Sequence, residues 1–192
     1  PGAGRVGGSE TLARWPLSAQ LIPQVYSTDG IALRRYGSFF DRARNDLALL
    51  NRTGADALLL TKQDIQGAFA SMRPSLTIWN VFPSGAVLFN NLGAKPRARM
   101  VYDWRTADVA SPDAIRSDLP PVIEGVAPPA GSANNIEAKV AVESETYSSV
   151  DVSVETGLPG MLILADAFYP GWIAFVDGEP ARIYPADGLF RA

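Results

Sequence analysis

At 192 residues the chain suits one ordinary domain or two small ones, and 47% hydrophobic against 19% charged residues excludes a chain too polar to build a core. A net charge of −3 argues against a surface that tracks nucleic-acid phosphates, so no nucleic-acid partner is expected. With neither cysteine nor histidine, the chain cannot itself supply disulfides, thiolate nucleophiles, Ser-His-Asp catalysis or zinc-histidine sites; carboxylate, Lys, Tyr or Ser-Lys chemistry remains, or none, and no metal or cofactor is implied.

Residues 1–10, PGAGRVGGSE, are glycine-rich, read as a frayed end, and lack the apolar centre of a signal peptide. No stretch reaches the roughly 18 consecutive apolar residues of a membrane span, so the chain as given reads as soluble. From Ile31 to Asn51 the apolar positions Leu33, Tyr36, Phe39, Phe40, Ala43, Leu47 and Leu50 recur at helical steps, which predicts an amphipathic helix stopped by Gly54. Ala55–Thr61 is short and continuously apolar, the mark of a buried strand. Ser75–Phe82 and Ala86–Asn90 flank a Pro-Ser-Gly turn and predict a hairpin, and Arg97–Trp104 predicts a third strand. Ser111 before Pro112 predicts one short helix within 105–116.

The Pro- and Gly-rich stretch over 126–135 reads as a connection. Beyond it, Ile136–Glu143 and Ser149–Glu155 alternate and Gly160–Tyr169 is a longer apolar run, all strands. The end, DAFYPGWIAFVDGEPARIYPADGLFRA, holds three turn signals: Pro170-Gly171, Asp177-Gly178 and Ala186-Asp187-Gly188. They predict consecutive antiparallel strands LILADAFY, WIAFVD, PARIY and LFRA. The expected fold is therefore α+β: an α/β part over 1–125 with a mixed sheet and one or two helices, then an antiparallel, sandwich-like part over 136–192 that is truncated at its C-terminus.

This closing segment resembles the C-terminal extracytoplasmic segment of the bacterial YfhO family, polytopic membrane proteins similar to GT-C glycosyltransferases. The matching positions are Tyr169, Pro170, Gly171, Trp172, Asp177, Gly178, Tyr184, Phe190, Arg191 and Ala192, with Phe168 as the first aromatic of the family's pair. STDGIALRRYGSFF, LLNRTGADALLLT and AVLFNNLGAKPRARMV match more weakly; LFNN lacks the tyrosine-glutamate usual there, and family members continue past the equivalent of Ala192. The resemblance implies a lobe on the extracytoplasmic face of the bacterial membrane, following a transmembrane bundle outside this chain. It implies partners in that bundle and in a glycan or polyprenyl-phosphate sugar. A GT-C catalytic carboxylate belongs to an early loop, also outside this chain, so the lobe is expected to be accessory and to hold no catalytic residue. The alternative is a free-standing secreted carbohydrate-binding module.

Three residues are candidates for carbohydrate binding. Tyr169 and Trp172 flank the Pro-Gly turn, where flat aromatics meet the apolar face of a pyranose or simply pack at the sheet end, and Asp166 lies nearby. Asp166 and Asp177 also suggest a glycosidase pair, but Asp177 is accounted for by its Asp-Gly turn. Arg97 and Arg99 share a strand face by period two and are candidates for binding phosphate or another anion. Arg34-Arg35 reads as a solvated helix side, and the glycosylation sequon Asn51-Arg52-Thr53 as a chance match.

Overall fold

The computed structural model describes residues 5–8, 34–67, 69–71, 73–108, 111–128 and 137–192. The fold is α+β and mostly sheet, with three α-helices among the described residues and strands in mixed and antiparallel sheets. Two compact units divide the chain, residues 1–95 and 96–192.

In the first unit, α1 (Arg34–Ala43) and α2 (Leu47–Asn51) lead to β2 (Ala55–Leu60). The sequence predicts one helix over this span; residues 31–33 lie outside the described residues, and the helix breaks at 44–46. Asp46 is the physical reason. Its backbone is extended (φ −136°, ψ 99°), and its carboxylate accepts from the Ala48 and Leu49 amides at 3.0 and 3.2 Å, so the chain starts a second helix instead of continuing the first. Asp46→Ala is expected to cost about 1 kcal/mol. A lowered urea midpoint for the first unit checks this, and an unchanged midpoint would show the cap to be redundant.

α1 packs on α2, and α2 packs against β2. The strand β2 pairs in parallel with β1 (Arg5–Gly8) and antiparallel with β4 (Val87–Asn90), which carries β3 (Thr77–Val81) at the other edge. The pairing of β1 falls inside the stretch read as a frayed end: a ladder needs backbone amides and carbonyls, which a glycine-rich segment retains. Residues 1–4 and 9–10 lie outside the described residues. Phe39, Leu49, Leu58, Leu60 and Phe89 are buried and form the core, with Phe39 meeting Phe40 edge to face at 5.5 Å. Fully burying each such side chain is worth about 1.5–3 kcal/mol. Between α2 and β4, buried Asn91 donates to Asn51 Oδ1 and the Ala55 carbonyl and accepts from the Gly93 amide. The Asn51 amide group is thus a structural latch, and Thr53 of the sequon is fully buried.

The second unit is built on a six-stranded sheet in the order β5-β10-β14-β13-β7-β6. Its strands are β5 (Ala98–Val101), β6 (Arg105–Ala107), β7 (Val122–Glu124), β10 (Met161–Ala167), β13 (Pro185–Ala186) and β14 (Phe190–Arg191). The sheet therefore draws strands from both sides of the connection read at 126–135. Of that stretch, residues 126–128 form no regular element and 129–135 lie outside the described residues. Two separate hairpins complete the unit, β8 (Lys139–Glu145) with β9 (Val150–Glu155), and β11 (Ala174–Val176) with β12 (Glu179–Ala181). Val122, Ile123, Ile163, Ala186 and Phe190 are its buried centre.

The short helix expected within 105–116 forms as a single 3-10 turn over Pro112–Ala114, capped by Ser111 Oγ, while residues 105–107 form β6, which pairs in parallel with β7. Of the terminal strands expected to pair consecutively, β11 pairs with β12 and β13 with β14, but the first pairing does not form. All three turns form, with Gly171 at φ 109°, Asp177 and Gly178 at 52° and 85°, and Asp187 and Gly188 at 49° and 66°. Yet β10 pairs with β5 and β14, not with β11, because the Phe168 amide bonds the Leu189 carbonyl and seats the final strand in the sheet interior.

Candidate functional site

The ladder between β10 and β14 is irregular where Asp166 sits: Leu164 faces Arg191 and Ala167 faces Phe190, so three steps along one strand oppose one along the other. Such bulges re-aim side chains. Asp166 lies between two guanidinium groups. Arg97, just before β5, donates through Nε to Oδ1 at 2.9 Å and through Nη2 to Oδ2 at 2.7 Å. Arg191 on β14 donates through Nη2 to Oδ2 at 2.7 Å. The other side of Arg97 is held by Glu145 at the end of β8, at 2.6 and 2.7 Å.

The set carries two positive and two negative charges. Its bonds to Glu145, then to Asp166, hold the Arg97 guanidinium above the ordinary arginine range. Burial pushes the Arg191 guanidinium down, against the pull of Asp166, and its Nε is buried without a hydrogen-bond partner. Arginine stays charged in either case. Asp166 is thus committed to two cations, an arrangement suited to bracing strands.

On the far side of Arg191, its guanidinium carbon stands 4.1 Å from the ring centroid of Trp172. This cation–π contact fixes the indole from one face. Trp172 in turn lines a cleft of about 420 Å³ formed by the Pro170-Gly171 loop and the β11–β12 hairpin. That volume lies within the range of roughly 300–1,000 Å³ usual for small-ligand pockets. Tyr169, 56% exposed, lines the same cleft, as do Ile173 and Phe175, 76% and 60% exposed. The lining is mostly apolar.

The structure therefore brings Tyr169 and Trp172 to one cleft and places Asp166 beneath Trp172, joined to it through Arg191. Arg97 joins the same network, with its donors engaged by carboxylates. Arg99 lies apart: it sits opposite Ile163, and its Nη1 donates to the Pro96 carbonyl at 3.1 Å. Asp177 occupies the left-handed turn position of the β11–β12 hairpin. Sequence reasoning did not single out Glu145, Arg182 or Arg191 as site residues. For Arg191 the only signal is the Phe-Arg-Ala ending, and for Glu145 its place at the end of an alternating strand.

Among the described residues, no three acidic side chains cluster closely enough to hold a metal ion, and no helix is long and apolar enough to cross a membrane. Comparison with protein-family models, with curated proteins and with solved structures gave no match.

Proposed function

We propose that this chain is a non-catalytic binding lobe on the extracytoplasmic face of a polytopic bacterial membrane protein resembling the YfhO and GT-C glycosyltransferases. In this role it holds a glycan, or the sugar of a lipid-linked donor, during cell-envelope assembly. The observation that carries the reading is the cleft in which Tyr169 and Trp172, the residues that best match that family's turn, stand together as aromatic walls. Aromatic faces bind the C–H face of a sugar ring, and the Arg191 stack holds one of those walls in place before any ligand arrives.

The isolated 192-residue chain is expected to give signal on a glycan array. Tyr169→Ala and Trp172→Ala should each weaken binding by about tenfold or more, taking a lost aromatic contact at 1.5 kcal/mol. Circular dichroism and the urea midpoint check that each variant folds, and Tyr169, being exposed, is the cleaner probe. Absence of any glycan signal from the folded chain would defeat the binding role. The membrane role has its own test, because the surrounding reading frame should encode a transmembrane bundle before residue 1. A frame that starts within a few residues of Pro1 would favour a free-standing secreted module using the same cleft.

A further inference from the structure

The cleft's charge is as informative as its aromatics. Among the residues that line it, Arg182 alone carries a formal charge, and no carboxylate or carboxamide side chain joins it. Neutral sugars are commonly gripped by Asp, Glu, Asn or Gln side chains that bond adjacent hydroxyls; this lining offers none. Arg182 is exposed, and its guanidinium carbon lies 5.0 Å from the ring centroid of Tyr184. No ion pair within the described residues engages it, in contrast to Arg97, whose donors are taken up by Asp166 and Glu145. Asp177 and Glu179, on the same hairpin, do not line the cleft. A planar guanidinium beside aromatic walls suits a ligand that pairs an apolar face with an oxyanion.

We infer that the cleft selects acidic saccharides: the ring lies against Tyr169 and Trp172 while a ring carboxylate or phosphate meets Arg182. This rests on the glycan-binding reading above and adds the substrate class and the residue that sets it. The stack on Tyr184 restrains the guanidinium before a ligand arrives, which lowers the entropy lost on binding. Arg97 and Arg99 have no part in the selection.

The test measures binding of the intact chain to methyl glucoside, methyl glucuronide, glucose 6-phosphate and inorganic phosphate by ligand-observed NMR. At least one acidic sugar is expected to bind about tenfold tighter than the neutral one, the worth of one charge-assisted contact, and the advantage should shrink as salt is raised. Which acidic sugar gains more separates a carboxylate ligand from a phosphate one. Arg182→Met, at an exposed position, adds no carboxamide and should erase the preference, the acidic sugars losing about tenfold in affinity. Equal binding of acidic and neutral sugars, or an Arg182→Met variant that weakens both alike, overturns the inference and leaves the glycan-binding reading standing. Inorganic phosphate binding as tightly as glucose 6-phosphate overturns it in favour of a bare anion site. No binding of any sugar removes the reading and the inference together.

Discussion

Replacing Asp166 by alanine is expected to destabilise the second unit by about 3–5 kcal/mol, the usual cost of removing one partner from a buried ion pair. The decisive partner is Arg191. Its side chain is only 10% exposed, and Asp166 is the carboxylate that compensates its charge. Arg97 matters less to this cost, because it is 22% exposed and keeps Glu145 when Asp166 is gone. The alternative expectation treats the cluster as a surface ion pair worth about 0–1 kcal/mol. The 12% exposure of Asp166 argues against that. Urea unfolding of Asp166→Ala decides between the two, and a loss below about 1 kcal/mol would reject the buried-network account. The double variant Asp166→Leu/Arg191→Met should recover much of the lost stability, since a buried pair replaced by apolar groups of similar volume is often neutral. It should not recover ligand binding, because Trp172 then has no guanidinium against its ring. Stability and binding would separate in one protein.

The same network shows how far the sequence could be read. Segments whose sequence carries a local apolar pattern between turn signals were legible: the passage from Leu47 through Leu60, the β3–β4 hairpin, and the β8–β9 hairpin. The Asp177-Gly178 turn was legible because both residues take positive φ, as such a hairpin turn demands. The parallel pairing of β6 with β7 and the insertion of β14 beside β10 were not. Strands of two or three residues carry no period, and their partners are chosen by packing with distant segments. Within the site, Tyr169 and Trp172 were legible from the turn they flank. Arg97 and Asp166 were noticed separately, but their pairing spans 69 residues, and that of Asp166 with Arg191 spans 25. Spacing along the chain cannot show which opposite charges meet across strands. Arg182 stayed unremarked because its significance lies in what surrounds it: an otherwise uncharged lining that only the folded hairpin creates.

Asp187→Ala is the second substitution expected to cost heavily, although the sequence presents Asp187 as an ordinary turn residue. It is fully buried, and its backbone sits at φ 49° in the turn that joins β13 to β14. Its amide donates to the Val122 carbonyl at 2.7 Å, while its Oδ1 accepts from the Val122 amide at 2.9 Å, so one residue closes both bonds to β7. Alanine would orphan the buried Val122 N–H at a cost of about 1–3 kcal/mol. It would also tolerate the left-handed conformation less well than aspartate, whose short polar side chain bonds locally, which adds a smaller cost. The two contributions can be measured apart. Asp187→Gly relieves the backbone conformation and leaves the orphaned amide, so it should fall between alanine and wild type. Asp187→Asn keeps an acceptor and tolerates the left-handed region, so it should lose least. Urea midpoints give this order, and hydrogen exchange at the Val122 amide should be fastest in the alanine and glycine variants. If Val122 stays as protected in Asp187→Ala as in wild type, the side-chain bond is not what ties the final hairpin into the sheet. The seating of Arg191 behind Trp172 would then rest on the pairing of β14 with β10 and β13.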